Sequence, residues 1–133
     1  MKKIEHIGIA VKDIAKSNKV FSTIFGKKNY KEEIVDSEGV TTSFFMIGDS
    51  KIELLASTKY DSSIAKYLKN SKESIHHIAF TVDNIEKEML RLQNHGIRVL
   101  GEGPKKGADN KIICFLHPKD TNGVLIELCQ EID

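Results

Sequence analysis

The 133-residue chain has the size of one compact domain, and its 40% hydrophobic and 29% charged residues exclude disordered and fibrous classes. Twenty basic and nineteen acidic residues leave a net charge of +1, which provides no global field for gripping a nucleic-acid backbone or an anionic membrane. No segment approaches the roughly 20 apolar residues that span a bilayer, and the stretch after Met1-Lys2-Lys3 is broken by Lys12-Asp13, unlike a signal peptide.

A cytoplasmic protein is therefore expected, with neither nucleic acid nor membrane as partner. Cys114 and Cys129 lie in apolar runs, and two cysteines make neither a disulfide framework nor a zinc knuckle. Buried reduced thiols are expected.

In chain order, Ile4 to Val11 alternates like a strand. Asp13 caps a helix whose stripe is Ile14, Val20, Phe21, Ile24 and Phe25 and which Gly26 ends. Three strands follow at about Tyr30 to Val35, Thr41 to Ile47 and Lys51 to Ala56, divided by the turn signals Glu38-Gly39 and Gly48-Asp49. The polar connector 57–74 contains a short helix around Ile64, Ala65, Tyr67 and Leu68.

The pattern then restarts. Ile75 to Val82 alternates, Asn84 caps a helix with Ile85, Met89, Leu90 and Leu92, and His95-Gly96 stops it. Ile97 to Leu100, Lys111 to Leu116 and Val124 to Cys129 supply three further strands, separated by the loop Gly101 to Gly107 and the turn Pro118 to Gly123.

The two halves also agree in letters. His6-Ile-Gly-Ile-Ala-Val lies beside His77-Ile-Ala-Phe-Thr-Val, and Lys51-Ile-Glu53-Leu-Leu55 beside Leu125-Ile-Glu127-Leu-Cys129. The spacing is 71 residues between the histidines and 74 between the glutamates, a difference that loops can absorb. Duplication of a βαβββ unit accounts for this, with modules at about 3–56 and 75–130 and two half-barrels sharing a cleft.

Strand alternation puts His6 opposite Ile7 and Ile9, His77 opposite Ile78 and Phe80, and each glutamate opposite its aliphatic neighbours. A lone strand histidine is usually a core or surface residue, and a lone strand-end glutamate is usually solvated. Recurrence of both at matching places in two copies favours a shared ion, because buried carboxylates are costly unless paired or bound to a cation. Two imidazoles and two carboxylates suit Mn, Fe, Co, Ni or Zn and leave two octahedral positions for a chelating ligand. His76 fails the alignment and faces the other side of its strand. His95 is expected to serve the helix end.

These residues resemble the vicinal oxygen chelate superfamily, which includes glyoxalase I, extradiol dioxygenases and antibiotic-resistance proteins. Among its families the chain most resembles the methylmalonyl-CoA epimerases, through six blocks in order: His6-Ile-Gly-Ile-Ala-Val, Gly48-Asp-Ser-Lys-Ile-Glu-Leu-Leu55, Asp61-Ser-Ser-Ile-Ala-Lys66, Ile75-His-His-Ile-Ala-Phe80, Phe115-Leu-His-Pro-Lys119 and Gly123-Val-Leu-Ile-Glu-Leu128.

The resemblance implies an α+β fold of tandem βαβββ modules, one domain over 1–133, with a cupped mixed sheet around a metal held by His6, Glu53, His77 and Glu127. It implies a homodimer acting on an acyl-CoA thioester with cobalt, or Mn, Ni or Zn, in the site. The activity implied is interconversion of (R)- and (S)-methylmalonyl-CoA, with the ion stabilising an enolate and Glu127 as one acid/base group.

Some bacterial relatives carry a second glutamate at about Thr42, and threonine is a poor base at neutral pH, so the second base is unassigned. Lys106, Gly107, His117 and Lys119 are candidate substrate contacts, with Lys105 in the same basic loop. The rival expectations are a glyoxalase I-type lactoylglutathione lyase and a metal-free resistance-type binder; an extradiol dioxygenase fits less well, because those enzymes use two histidines and one carboxylate on iron.

Overall fold

The computed structural model describes residues 1–133. In chain order it contains β1 (Lys3–Ala10), α1 (Ile14–Phe25), β2 (Lys31–Val35), β3 (Val40–Ile47), β4 (Ser50–Ser57), α2 (Ser63–Asn70), β5 (Ser74–Thr81), α3 (Ile85–Asn94), β6 (Lys105–Lys106), β7 (Lys111–Phe115), a 3-10 turn (Pro118–Asp120) and β8 (Ile126–Glu131). Two compact units emerge, Ile7–His76 and Met1–His6 with His77–Asp133. No helix is long and apolar enough to cross a membrane.

In the unit Ile7–His76 the strands run in the order β2-β3-β4-β1. Both β2 and β4 pair antiparallel with β3, and Phe44 lies opposite Glu53 in the β3–β4 register. The helix α1 starts where the Asp13 carboxylate accepts from the Lys16 amide at 3.0 Å, and it ends at Gly26 (φ 68°), whose amide bonds back to the Ser22 carbonyl.

Its stripe of Ile14, Phe21 and Phe25 packs on Ile9, Val11, Phe45, Ile52, Leu54 and Ala56. Each fully buried Leu or Phe of such a layer contributes about 1.5–3 kcal/mol. The opposite side of the sheet buries Ala10, Val40 and Leu55 with Ile64, Tyr67 and Leu68 of α2, so period-2 alternation sends Glu53 away from α1.

The other unit repeats the plan with β1-β5-β8-β7-β6. Here β5 pairs parallel with β8, while β7 pairs antiparallel with β8 and with β6. Asn84 caps α3 through the Lys87 amide, as Asp13 caps α1. Met89 and Leu92 of α3 pack on Cys114, Leu116, Ile126 and Leu128. Each unit is thus a βαβββ module with its helix on one face, which is the α+β fold expected.

One expected element is corrected. Ile97 to Leu100 is not a strand, since it makes only a single bridge, Val99 opposite Leu116. The edge strand of this module is β6, inside the segment expected to be loop. Val99 faces Leu116, yet Lys105, six residues further on, faces Ile113, only three residues back. Three residues are therefore looped out, and Gly101 (φ 69°) and Gly103 (φ 125°) supply the positive-φ backbone that the excursion requires. The three-residue difference between the histidine and glutamate spacings lies elsewhere, in the connection from β7 to β8: Phe44 and Glu53 are paired nine residues apart, Phe115 and Glu127 twelve.

Candidate active site

His6 on β1, His77 on β5 and Glu127 on β8 come together, with one ligand-type atom from each lying within 4.8 Å of the others. His6 Nε2 is 3.0 Å from His77 Nε2. Glu127 Oε1 is 3.2 Å from His77 Nε2, and Oε2 is 3.7 Å from His6 Nε2. All three residues are buried.

The imidazole rings meet edge to face at 86°, and Phe115 closes on His77 at 90°. In the sheet Glu127 lies between Ala79 and Phe115. The alanine keeps the space beside the carboxylate open, and Ala79, Ile113, Phe115 and Cys129 form an apolar wall.

Burial pushes the Glu127 carboxyl upward, but the imidazoles of His6 and His77 beside it and the Cys129 thiol together outweigh it. The carboxyl is held below its usual range. A charged acceptor beside two imidazole nitrogens in an apolar setting is a donor set suited to a divalent first-row ion. His6, His77 and Glu127 therefore fit a metal.

Glu53 is also buried, on β4 of the unit Ile7–His76. Thr42 is buried there too, and its hydroxyl donates to the Glu33 carbonyl at 3.3 Å. Lys106 and Lys119 are exposed, and His117 is half-buried. The His117 ring accepts the Lys119 amide at 3.2 Å, capping the 3-10 turn. Gly107 is buried against Ile113. His95 Nδ1 bonds the Arg91 carbonyl at 2.8 Å, which gives it the expected helix-end role.

Two participants were not anticipated. Glu5 is buried with Oε1 3.1 Å from His6 Nδ1, and the Cys129 thiol donates to Glu127 Oε2 at 2.8 Å. The signal for Cys129 was available, because i and i+2 on a strand share a face. For Glu5 alternation pointed to the face opposite His6, and nothing in the sequence signals their contact.

Residues 5–115 match the Glyoxalase/Bleomycin resistance protein/Dioxygenase superfamily. The chain is 40% identical over 130 residues to the ethylmalonyl-CoA/methylmalonyl-CoA epimerase of Cereibacter sphaeroides, covering 96% of this chain and 97% of that one. It is 40% identical over 129 residues to the human mitochondrial methylmalonyl-CoA epimerase, covering 96% of this chain and 73% of that one. A solved methylmalonyl-CoA epimerase in complex with methylmalonyl-CoA and NH4+ superposes with a TM-score of 0.94 at 33% identity, covering 98% of this chain and 95% of that one. The chain belongs to the glyoxalase/bleomycin resistance protein/dioxygenase superfamily and, within it, to the methylmalonyl-CoA epimerase family.

Proposed function

We propose that the chain interconverts (R)- and (S)-methylmalonyl-CoA by taking the α-proton and returning a proton to the opposite face. The observation that carries this reading is the convergence of His6, His77 and Glu127 on one buried, apolar-walled face, in a chain whose relatives are epimerases of this substrate.

His6, His77 and Glu127 would hold a divalent ion, with cobalt as our choice and Mn, Ni or Zn as alternates, and buried Glu53 as the fourth ligand. Such an ion supplies Lewis-acid stabilisation of the negative charge that develops on the substrate oxygens. Glu127 is the acid/base group on one face of the α-carbon, and its lowered carboxyl keeps it ionised and ready to accept a proton. Ala79, Ile113 and Phe115 exclude water and so strengthen each charge interaction. Thr42, engaged with the Glu33 carbonyl, is chemically unsuited to serve on the opposite face.

Lys106 and Lys119 are offered as contacts for the coenzyme A phosphates, with Gly107 and His117 beside them in the chain. The same reading takes residues 1–133 as one domain of a cytoplasmic homodimer.

Incubation with methylmalonyl-CoA in deuterated water tests the activity. Deuterium must enter the α-carbon; its exclusion, with turnover of a glutathione hemithioacetal instead, would establish the lactoylglutathione lyase reading. Protein grown with Co or Mn should purify with about one ion per chain, whereas an empty site points to a metal-free binder. Glu53→Ala should lose the ion, and unchanged occupancy would remove Glu53 from the ligand set.

A further inference from the structure

The side chain left without a role is Glu5. The first strand breaks its alternation here, since Glu5 and His6 are both buried, at 3% and 5% exposure. Burying a carboxylate is costly unless a donor meets it, and His6 Nδ1 does so at 3.1 Å. A carboxylate can only accept, so the proton of this contact resides on Nδ1.

The consequence reaches the far side of the ring. With Nδ1 protonated, a neutral His6 presents a lone pair at Nε2, and Nε2 is the atom 3.0 Å from His77 Nε2 and 3.7 Å from Glu127 Oε2. The opposite tautomer would place a hydrogen on Nε2, where it would block an ion.

We infer that Glu5 is a positioning residue: it locks His6 in the Nδ1–H tautomer and fixes the ring plane, so that the Nε2 lone pair faces the metal position. The inference rests on the metal-site reading and adds to it a carboxylate–histidine–metal relay. Glu5 meets His6 at Nδ1, the nitrogen turned away from His77 and Glu127, so its effect on the site passes through the His6 ring.

The test uses the intact protein and two readouts besides turnover. In Glu5→Ala, the Co2+ or Zn2+ dissociation constant measured by chelator competition should rise about 10- to 100-fold, the range found when such outer partners are removed. Glu5→Gln keeps an oxygen acceptor and should fall between Ala and the parent. Ring 15N shifts of the metal-free protein should show His6 protonated at Nδ1 in the parent and mixed between nitrogens in Glu5→Ala.

At saturating metal KM should hold while kcat falls. If the parent and His6→Ala differ in metal affinity but Glu5→Ala matches the parent, the inference fails and the metal site stands. If the parent itself binds no divalent ion, both fail together. A change in melting temperature of the metal-free protein without change in metal affinity or tautomer would reduce Glu5 to a packing role and overturn the inference.

Discussion

The Cys129 thiol donates to Glu127 Oε2 at 2.8 Å, two residues along β8 and on the same face. The two carboxylate oxygens are thereby divided, because Oε1 approaches His77 Nε2 at 3.2 Å while Oε2 takes the S–H. The thiol is one of the groups that hold the Glu127 carboxyl below its usual range against the upward push of burial.

Cys129→Val, close in volume but without a donor, should fold normally and lower kcat/KM about 3- to 10-fold, the worth of one modest hydrogen bond. Cys129→Ser restores a donor and should recover most of the loss. Steady-state kinetics of the pair checks this, and full activity in the valine variant would remove the thiol from the argument.

Glu127→Gln separates charge from shape. The amide keeps a carbonyl oxygen at the same place but can neither accept the α-proton nor neutralise a cation, so deuterium wash-in should fall by about 10²- to 10⁴-fold. The folded structure should persist, since a buried ionised group has been exchanged for a neutral isostere. Circular dichroism alongside mass spectrometry of the thioester reads both effects.

Much of this architecture could be read from local chemistry. Asp13, Gly26 and Asn84 mark helix ends because their side chains or backbone meet the same orphan groups in any helix. The histidine pair and Glu127 were legible because the module is written twice. The short edge strand β6 was not, because two residues between glycine-rich turns carry no period to detect. Its place is set by hairpin pairing with Ile112 and Ile113, which only the folded β7 provides. Glu5 escaped for a related reason: alternation assigns adjacent residues to opposite faces, and only coordinates reveal that its side chain meets the His6 ring.

Gly107 was a substrate-contact candidate, and packing gives it a second duty. An added Cβ would sit 2.7 Å from Ile113 Cδ1 and 3.0 Å from Cγ1. Gly107→Ala should therefore lower stability by about 1–3 kcal/mol through overpacking. If packing is its whole duty, KM for the thioester will be unchanged at a temperature where the variant is folded. A raised KM under those conditions would support the contact with substrate.

Asp120 anchors the segment that failed to become a strand. Its Oδ2 accepts the Arg98 amide and Nε, each at 2.9 Å, and its Oδ1 accepts Nη2 at 3.0 Å. The hydrogen bond from the Arg98 side chain, joined by the one from its backbone, pulls the Asp120 carboxyl down to about 2. A carboxylate lowered on folding stabilises the protein above its ordinary value of 3.8, and that contribution drains away as pH falls toward about 2.

Asp120→Asn should accordingly melt below the parent at pH 6 and converge with it as the pH drops through that window. The difference at neutral pH should be small, because Arg98 is largely exposed and water and salt screen the pair. Melting curves of both proteins from pH 6 to 2 decide the matter. A gap that persists undiminished at pH 2 would mean that shape, and not charge, holds Arg98 to the turn.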